Sequence, residues 1–323
     1  MKDFVEVFNE YCKTAYEGVL YRIKFGQKED AQYGNDLDKK FPIGGVTKLF
    51  TIACVLKLIE NKKLILDTKL PVYLSEEECK GLCVVKGVDY STSITIKDLL
   101  YQTSGLTDYF TELVKPNIAR GDDSYTFEDK LNWTKLKNGI DKPGSKVAYY
   151  SNLNADLLTY IVEKSTGKKI MDVYKEFIFD PLELKNTYIP MDEKCYMPAL
   201  FFDGRPMKRP GLLRSSYGSG GLISTAKDLL RFIVGFFNGV IFNKSLIDKL
   251  TNFISMSNGL DGVSYGGGLM RIKSKKTILG QLGYTGAFAF ADIYNKVYYV
   301  GYLSQNDCEP INVKMLAELF EKA

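Results

Sequence analysis

The sequence contains no histidine, so any proton transfer or nucleophilic attack falls to Lys, Tyr, Asp, Glu, Ser or Cys; imidazole triads and His-based zinc centres are excluded. Three short segments place such residues at the entrances of regular elements. Ile43-Gly44-Gly45-Val46-Thr47-Lys48-Leu49-Phe50 runs into a stretch that is apolar almost all round. Tyr150-Ser151-Asn152 stands just ahead of a helix-period segment, and Gly283-Tyr284-Thr285-Gly286 opens the strand-like run that begins Ala287-Phe288-Ala289-Phe290. A nucleophile at the first turn of a helix lies beside unpaired N–H groups and the positive end of the dipole, which favours an oxyanion forming there. A lysine three positions later shares that face, so the Lys48 ammonium reaches back to position 45. Burial is expected to depress the pKa of Lys48, so that it or a neighbouring tyrosinate could accept a proton.

Chemistry of this kind needs elements that bring residues 45, 150 and 284 together. Apolar residues at helical spacing predict an amphipathic helix over 3–15, and 46–60 reads as a helix buried in the interior. A strand, a turn and a second strand are expected between Val19 and Gly34. Helix-period segments follow at 96–102, 126–137, 152–164 and 169–178, then at 225–238 and 245–254. Strand-like runs cover 265–272, 286–293 and 296–304, and a helix closes the chain over 311–321. Strands at both ends with helices between predict an α/β (α+β) fold, an antiparallel sheet flanked by helices and formed from both chain ends. The whole chain, 1–323, is read as a single domain, with a sheet lobe from 1–65 and 211–323 and an inserted all-helical lobe from 66–210.

The three segments resemble the S-x-x-K, Y-x-N and K/H-T-G motifs of the serine β-lactamase and penicillin-binding-protein group: class C β-lactamases, D,D-peptidases, D-aminopeptidases and related esterases. Non-catalytic stretches share the resemblance: Ile94-Thr95-Ile96-Lys97-Asp98-Leu99-Leu100 with Thr103-Ser104-Gly105-Leu106, and Gly220-Gly221-Leu222-Ile223-Ser224-Thr225. It implies a β-lactamase/transpeptidase-like fold and a cofactor-free serine hydrolase that cleaves an amide, ester or lactam through an acyl-enzyme. It also implies that Lys48 and Tyr150 manage the proton, that Asn152 holds the lysine and a substrate carbonyl, and that Tyr284, Thr285 and Gly286 form the third motif. The second oxyanion N–H would come from Ala287.

Two positions depart from the pattern. Gly45 stands where the nucleophilic serine belongs, so the atom that would carry the acyl group is missing and no serine-type turnover is expected. Its readings are an introduced substitution, a natural loss, a nucleophile located elsewhere (Ser151 being the nearest hydroxyl), or a turn glycine needing positive φ, as Gly44 also could be. The rival to a crippled hydrolase is a natural non-catalytic ligand-binding or sensor homologue. Tyr284 replaces a Lys or His that would pair with a substrate carboxylate, which moves the expectation from β-lactams toward esters, amides or D-amino-acid peptides.

Composition restricts the partners. A net charge of +4 without a basic stripe argues against nucleic acid and leaves a small-molecule or peptide acyl substrate. The six cysteines are scattered, so incidental thiols rather than a metal site are expected, and no cofactor is called for. The first ten residues carry charges where a signal peptide needs an apolar core, and no stretch approaches the roughly 20 apolar residues of a membrane span. A cytoplasmic location is the expectation, or an extracytoplasmic one if a leader has been removed.

Overall fold

The computed structural model describes residues 3–24, 26–192, 194–202, 204–249, 251–257 and 260–323. Its centre is an eight-stranded antiparallel sheet: β1 (Gly18–Lys24), β2 (Gln27–Tyr33), β3 (Ile254–Ser255), β4 (Val263–Gly266), β5 (Leu269–Ile272), β6 (Ile278–Leu282), β7 (Ala287–Asp292) and β8 (Val297–Leu303), in the order β2-β1-β8-β7-β6-β5-β4-β3. The two ends of the chain meet at the β1–β8 seam, where Val19 pairs with Tyr302. This is the antiparallel sheet expected from the strands at the two ends.

Side-chain alternation divides the sheet between two cores. On β7, Ala287, Ala289 and Ala291 face one core, while Phe288 and Phe290 face the other. The aromatic face is covered by the terminal helices α1 (Phe4–Cys12) and α6 (Glu309–Lys322), through Phe8, Met315 and Phe320 among others. The small alanines lie on the side of α2 (Thr47–Glu60) and α5 (Ala226–Asn238). Residues 47–56 of α2 are all buried, and Phe50 stacks on Phe232 of α5 with ring centroids 3.6 Å apart. A helix this apolar on every side is stable only when enclosed, which is what the sequence pattern requires.

Helices also dominate between residues 66 and 210, among them α3 (Asn152–Thr166), but that stretch holds two small hairpins, Val84–Val85 with Val88–Asp89 and Leu200–Phe202 with Arg205–Met207. Other departures from the sequence reading are local. The 169–178 segment is an α-helix only over Ile170–Tyr174 and continues as a wide π-turn over Lys175–Phe179. The 245–254 segment is helical only over Ser245–Lys249, because Ile254 pairs with Tyr265 at the sheet edge. Strand β6 contains Gly280, whose absent Cβ lets the Ala289 carbonyl oxygen approach to 2.0 Å from the place it would fill. A further helix, α4 (Pro210–Gly220), follows a proline at its first turn and ends in the glycine-rich segment that reads as a loop.

Candidate active site

The entrance to α2 is a single 3₁₀ turn over Gly44–Val46. Gly44 has φ +47, the left-handed conformation that favours glycine, and a Cβ there would stand 2.9 Å from Thr285 Oγ1. Gly45 has no positive φ; it serves close approach instead, since its Cβ would lie 2.5 Å from the carbonyl oxygen of Leu282, the last residue of β6. Gly283 answers from the other side, with Ile43 O 2.4 Å from its own missing Cβ. The α2 entrance is therefore pressed, backbone against backbone, on the turn between β6 and β7.

Lys48 lies in the first turn of α2 and is 2 % exposed. Its Nζ donates to Ser219 O at 2.8 Å, stands 3.4 Å from the Cβ point of residue 45 and lies 5.4 Å from the centroid of the Tyr150 ring. Burial lowers its pKa to about 8, partly offset by the negative charges of Asp156, Asp108 and Glu309. The expected reach and the expected depression are both present. Tyr150 moves the other way: burial, then Tyr265, Asp108 and Glu309, hold its phenol well above the ordinary value. Burial thus favours the uncharged form of both side chains.

Asn152 begins α3, and its surroundings differ from the expected pairing with lysine. Its backbone N donates to Asp108 Oδ1 at 2.9 Å, and its Nδ2 donates to the same oxygen at 3.1 Å. Asp108 also accepts from Phe110 N, Thr111 N and Thr111 Oγ1, so one carboxylate ties the start of α3 to the 108–111 segment. Ser151 points away: its Oγ donates to Thr107 O at 3.2 Å, its N donates to the Gln102 side chain, and it is fully buried.

In the third motif, Thr285 Oγ1 donates to Pro42 O at 2.7 Å, and the Tyr284 hydroxyl is buried without a hydrogen-bond partner. The Tyr284 ring packs edge-on against Phe110, 5.2 Å between centroids. Burial, with Asp307 and Glu309 nearby, raises its phenol above the ordinary value. Gly286 has φ +95 and closes the turn, with its N–H donating to Gly283 O at 2.9 Å. The Ala287 carbonyl accepts from Gly283 N at 2.8 Å. Gly283 O accepts from Gly286 N instead of from Ala287, and Gly283 itself lies against residue 45, its Cα 3.5 Å from the Cβ point there.

A cavity of about 250 Å³ gathers these pieces; Gly45, Lys48, Tyr150, Asn152, Tyr284 and Thr285 line it, and Gly286 and Ala287 do not. Its walls also carry Asp108, Lys115, Ser219, Asp307 and Glu309, none of which the sequence reading singled out. Asp108 follows directly on the recognised Thr103-Ser104-Gly105-Leu106 stretch, a signal that could have found it; Glu309 opens the last helix and had none. Among the described residues, no cluster of His, Cys, Asp and Glu is arranged to hold a metal ion, and no helix is long and apolar enough to cross a membrane.

Residues 14–318 match the profile of the Beta-lactamase family. The chain belongs to that family. A teichoic acid D-alanine hydrolase of Staphylococcus aureus is 26% identical over 267 residues, 80% of this chain and 62% of that protein, so the chain spans under two thirds of that relative. The fold is that of the β-lactamase-like D-amino acid amidase from Ochrobactrum anthropi SV3, with a TM-score of 0.83 at 19% identity, covering 99% of this chain and 100% of that one. A D-stereospecific amidohydrolase from a Streptomyces species is similar too, with a TM-score of 0.79 at 21% identity and 94% of each chain covered. The family is the one that the sequence resemblance implied.

Proposed function

We propose that this protein holds an acyl compound, an amide, ester or lactam, in the Gly45–Lys48–Tyr150 cavity without forming an acyl-enzyme. One observation carries the reading: the Leu282 carbonyl oxygen stands 2.5 Å from the Cβ point of residue 45, so a side chain able to attack could be held there only if the backbone shifted. Two further features support it. Lys48 retains its approach to position 45 but donates to Ser219 O, and among the described residues no Ser or Thr hydroxyl on the cavity wall stands free of a local acceptor. What remains is a polar, aromatic-walled pocket without the atom that attacks. The names of the similar proteins, a teichoic acid D-alanine hydrolase and D-amino acid amidases, suggest a D-amino-acyl compound as ligand. Calorimetric titration with a D-amino-acid amide, a short-chain ester and a β-lactam, run beside a turnover assay, tests this. Saturable binding of at least one without hydrolysis above buffer is expected; turnover overturns the non-acylating reading, and failure of all three to bind overturns the ligand-holding one.

A second reading is favoured by the electrostatics of Lys48. An amine with its pKa lowered to about 8, within reach of residue 45, suits a general base for a serine at that position. On this reading the scaffold is a serine hydrolase silenced at one residue, and Gly45→Ser forms an acyl adduct detectable by intact mass.

A further inference from the structure

Five side chains that carry charge line the cavity: Lys48, Lys115, Asp108, Asp307 and Glu309. Four of them already have partners. Lys115 and Asp307 form an ion pair at 2.7 Å, Lys48 donates to Ser219 O, and Asp108 is satisfied by the N–H and O–H donors of residues 110, 111 and 152. Glu309 differs. Its carboxylate lies half-buried in the cavity wall at the first turn of α6; among the described residues no cation stands within ion-pairing distance of it, and Lys115 and Lys48 act on it only from further off. Burial holds its carboxyl above the ordinary value in spite of those two lysines, and a cation that came within hydrogen-bonding distance in the cavity would favour the charged form.

The surroundings match a cation as well. Tyr284, also in this wall, presents a buried hydroxyl with no hydrogen-bond partner, able to accept from an N–H. Its ring already has the Lys115 ammonium 5.5 Å from its centroid, and Phe110 completes the aromatic corner. By resemblance to the family motif a Lys or His would occupy position 284 and attract a carboxylate. Here that cation is absent, and an acidic side chain opens α6.

We propose that the Tyr284–Glu309 end of the cavity recognises an ammonium group, so that the compound held is an aminoacyl amide or ester with its amine free, not one that presents a carboxylate. Glu309 is then a specificity-determining residue. The proposal rests on the cavity being an acyl-ligand site.

Two probes separate the claims: D-phenylalanine amide, which is cationic at about pH 6.5, and its neutral N-acetyl derivative, each titrated calorimetrically into the full chain. The free amine should bind at least about tenfold more tightly, the scale of one charge-assisted hydrogen bond. Glu309→Gln, which keeps the shape and removes the charge, should bring the ratio toward one. Equal or tighter binding of the N-acetyl compound overturns ammonium recognition while leaving the acyl-ligand reading intact, and it does so on the unmodified protein. Retention of the ratio in Glu309→Gln removes Glu309 from the account. If neither amide binds, both the proposal and the reading beneath it fall.

Discussion

The carbonyl oxygen of Leu282 lies 2.5 Å from the point where a Cβ on Gly45 would stand, closer than side-chain carbons come to backbone oxygen in folded proteins. The two backbones meet because neither Gly45 nor Gly283 carries a side chain. Any residue larger than glycine at 45 must displace the end of β6 or the entrance of α2.

Gly45→Ser is therefore expected to lower stability, by about 1–3 kcal/mol, the usual cost of forcing extra atoms into close-packed structure. Urea unfolding of the two proteins measures it. An unchanged midpoint would mean that the β6–β7 turn yields freely and that position 45 has room for a hydroxymethyl group.

Lys48 carries a pH-dependent prediction. Its folded pKa of about 8 lies below the ordinary value of 10.5, so below pH 8 both folded and unfolded states hold the proton and the folded state bears the full cost of a buried charge. Between about 8 and 10.5 the unfolded chain binds more protons, and this contribution to stability rises with pH. Lys48→Met should accordingly be stabilising near neutral pH, on the order of 1–3 kcal/mol, with a gain that shrinks across that window. Thermal melts of both proteins at pH 7 and pH 10 check the sign; a gain that grows with pH contradicts the depressed pKa.

Behind the cavity, Lys130 and Asp156 form an ion pair at 3.3 Å with both side chains almost wholly buried, and Tyr109 donates to Asp156 at 2.6 Å. Asp156→Asn leaves the Lys130 ammonium without its counter-ion and should cost about 3–5 kcal/mol. It should also lower the pKa of Lys48 further, because Asp156 is the leading charge that raises it. Denaturant unfolding and an NMR titration of the lysine read the two effects separately; a neutral substitution would show that the pair is replaceable in place.

Asp108 ties the 108–111 segment to the start of α3 through hydrogen bonds to Thr111 and Asn152. Asp108→Ala should cost about 1–3 kcal/mol, since several part-buried donors lose one acceptor at once. Amide hydrogen exchange at residues 108–115 should rise with it. Unchanged protection there would place the hold on that segment elsewhere.

What the sequence reveals and conceals follows from which forces act locally. The alternation Ala287-Phe288-Ala289-Phe290 shows a strand with both faces buried, and the apolar run of α2 shows an enclosed helix, because each pattern is written in neighbouring residues. The three motifs likewise place Gly45, Lys48, Tyr150, Asn152, Tyr284 and Thr285 on one cavity. Helix α4 is hidden because its end is held from afar: Lys130 binds Ser215 O, Thr51 binds Gly218 O and Lys48 binds Ser219 O, stabilising a kink at Tyr217 that local propensity disfavours. The contact between Leu282 and Gly45 is hidden for the same reason, since a glycine that permits close approach looks like one that permits a turn.

Mass spectrometry of the unaltered protein mixed with D-phenylalanine amide, recorded first under native and then under denaturing conditions, tests the central claim most directly. A one-to-one complex that vanishes on denaturation is the predicted result. An adduct that survives denaturation, or no complex under native conditions, would contradict it.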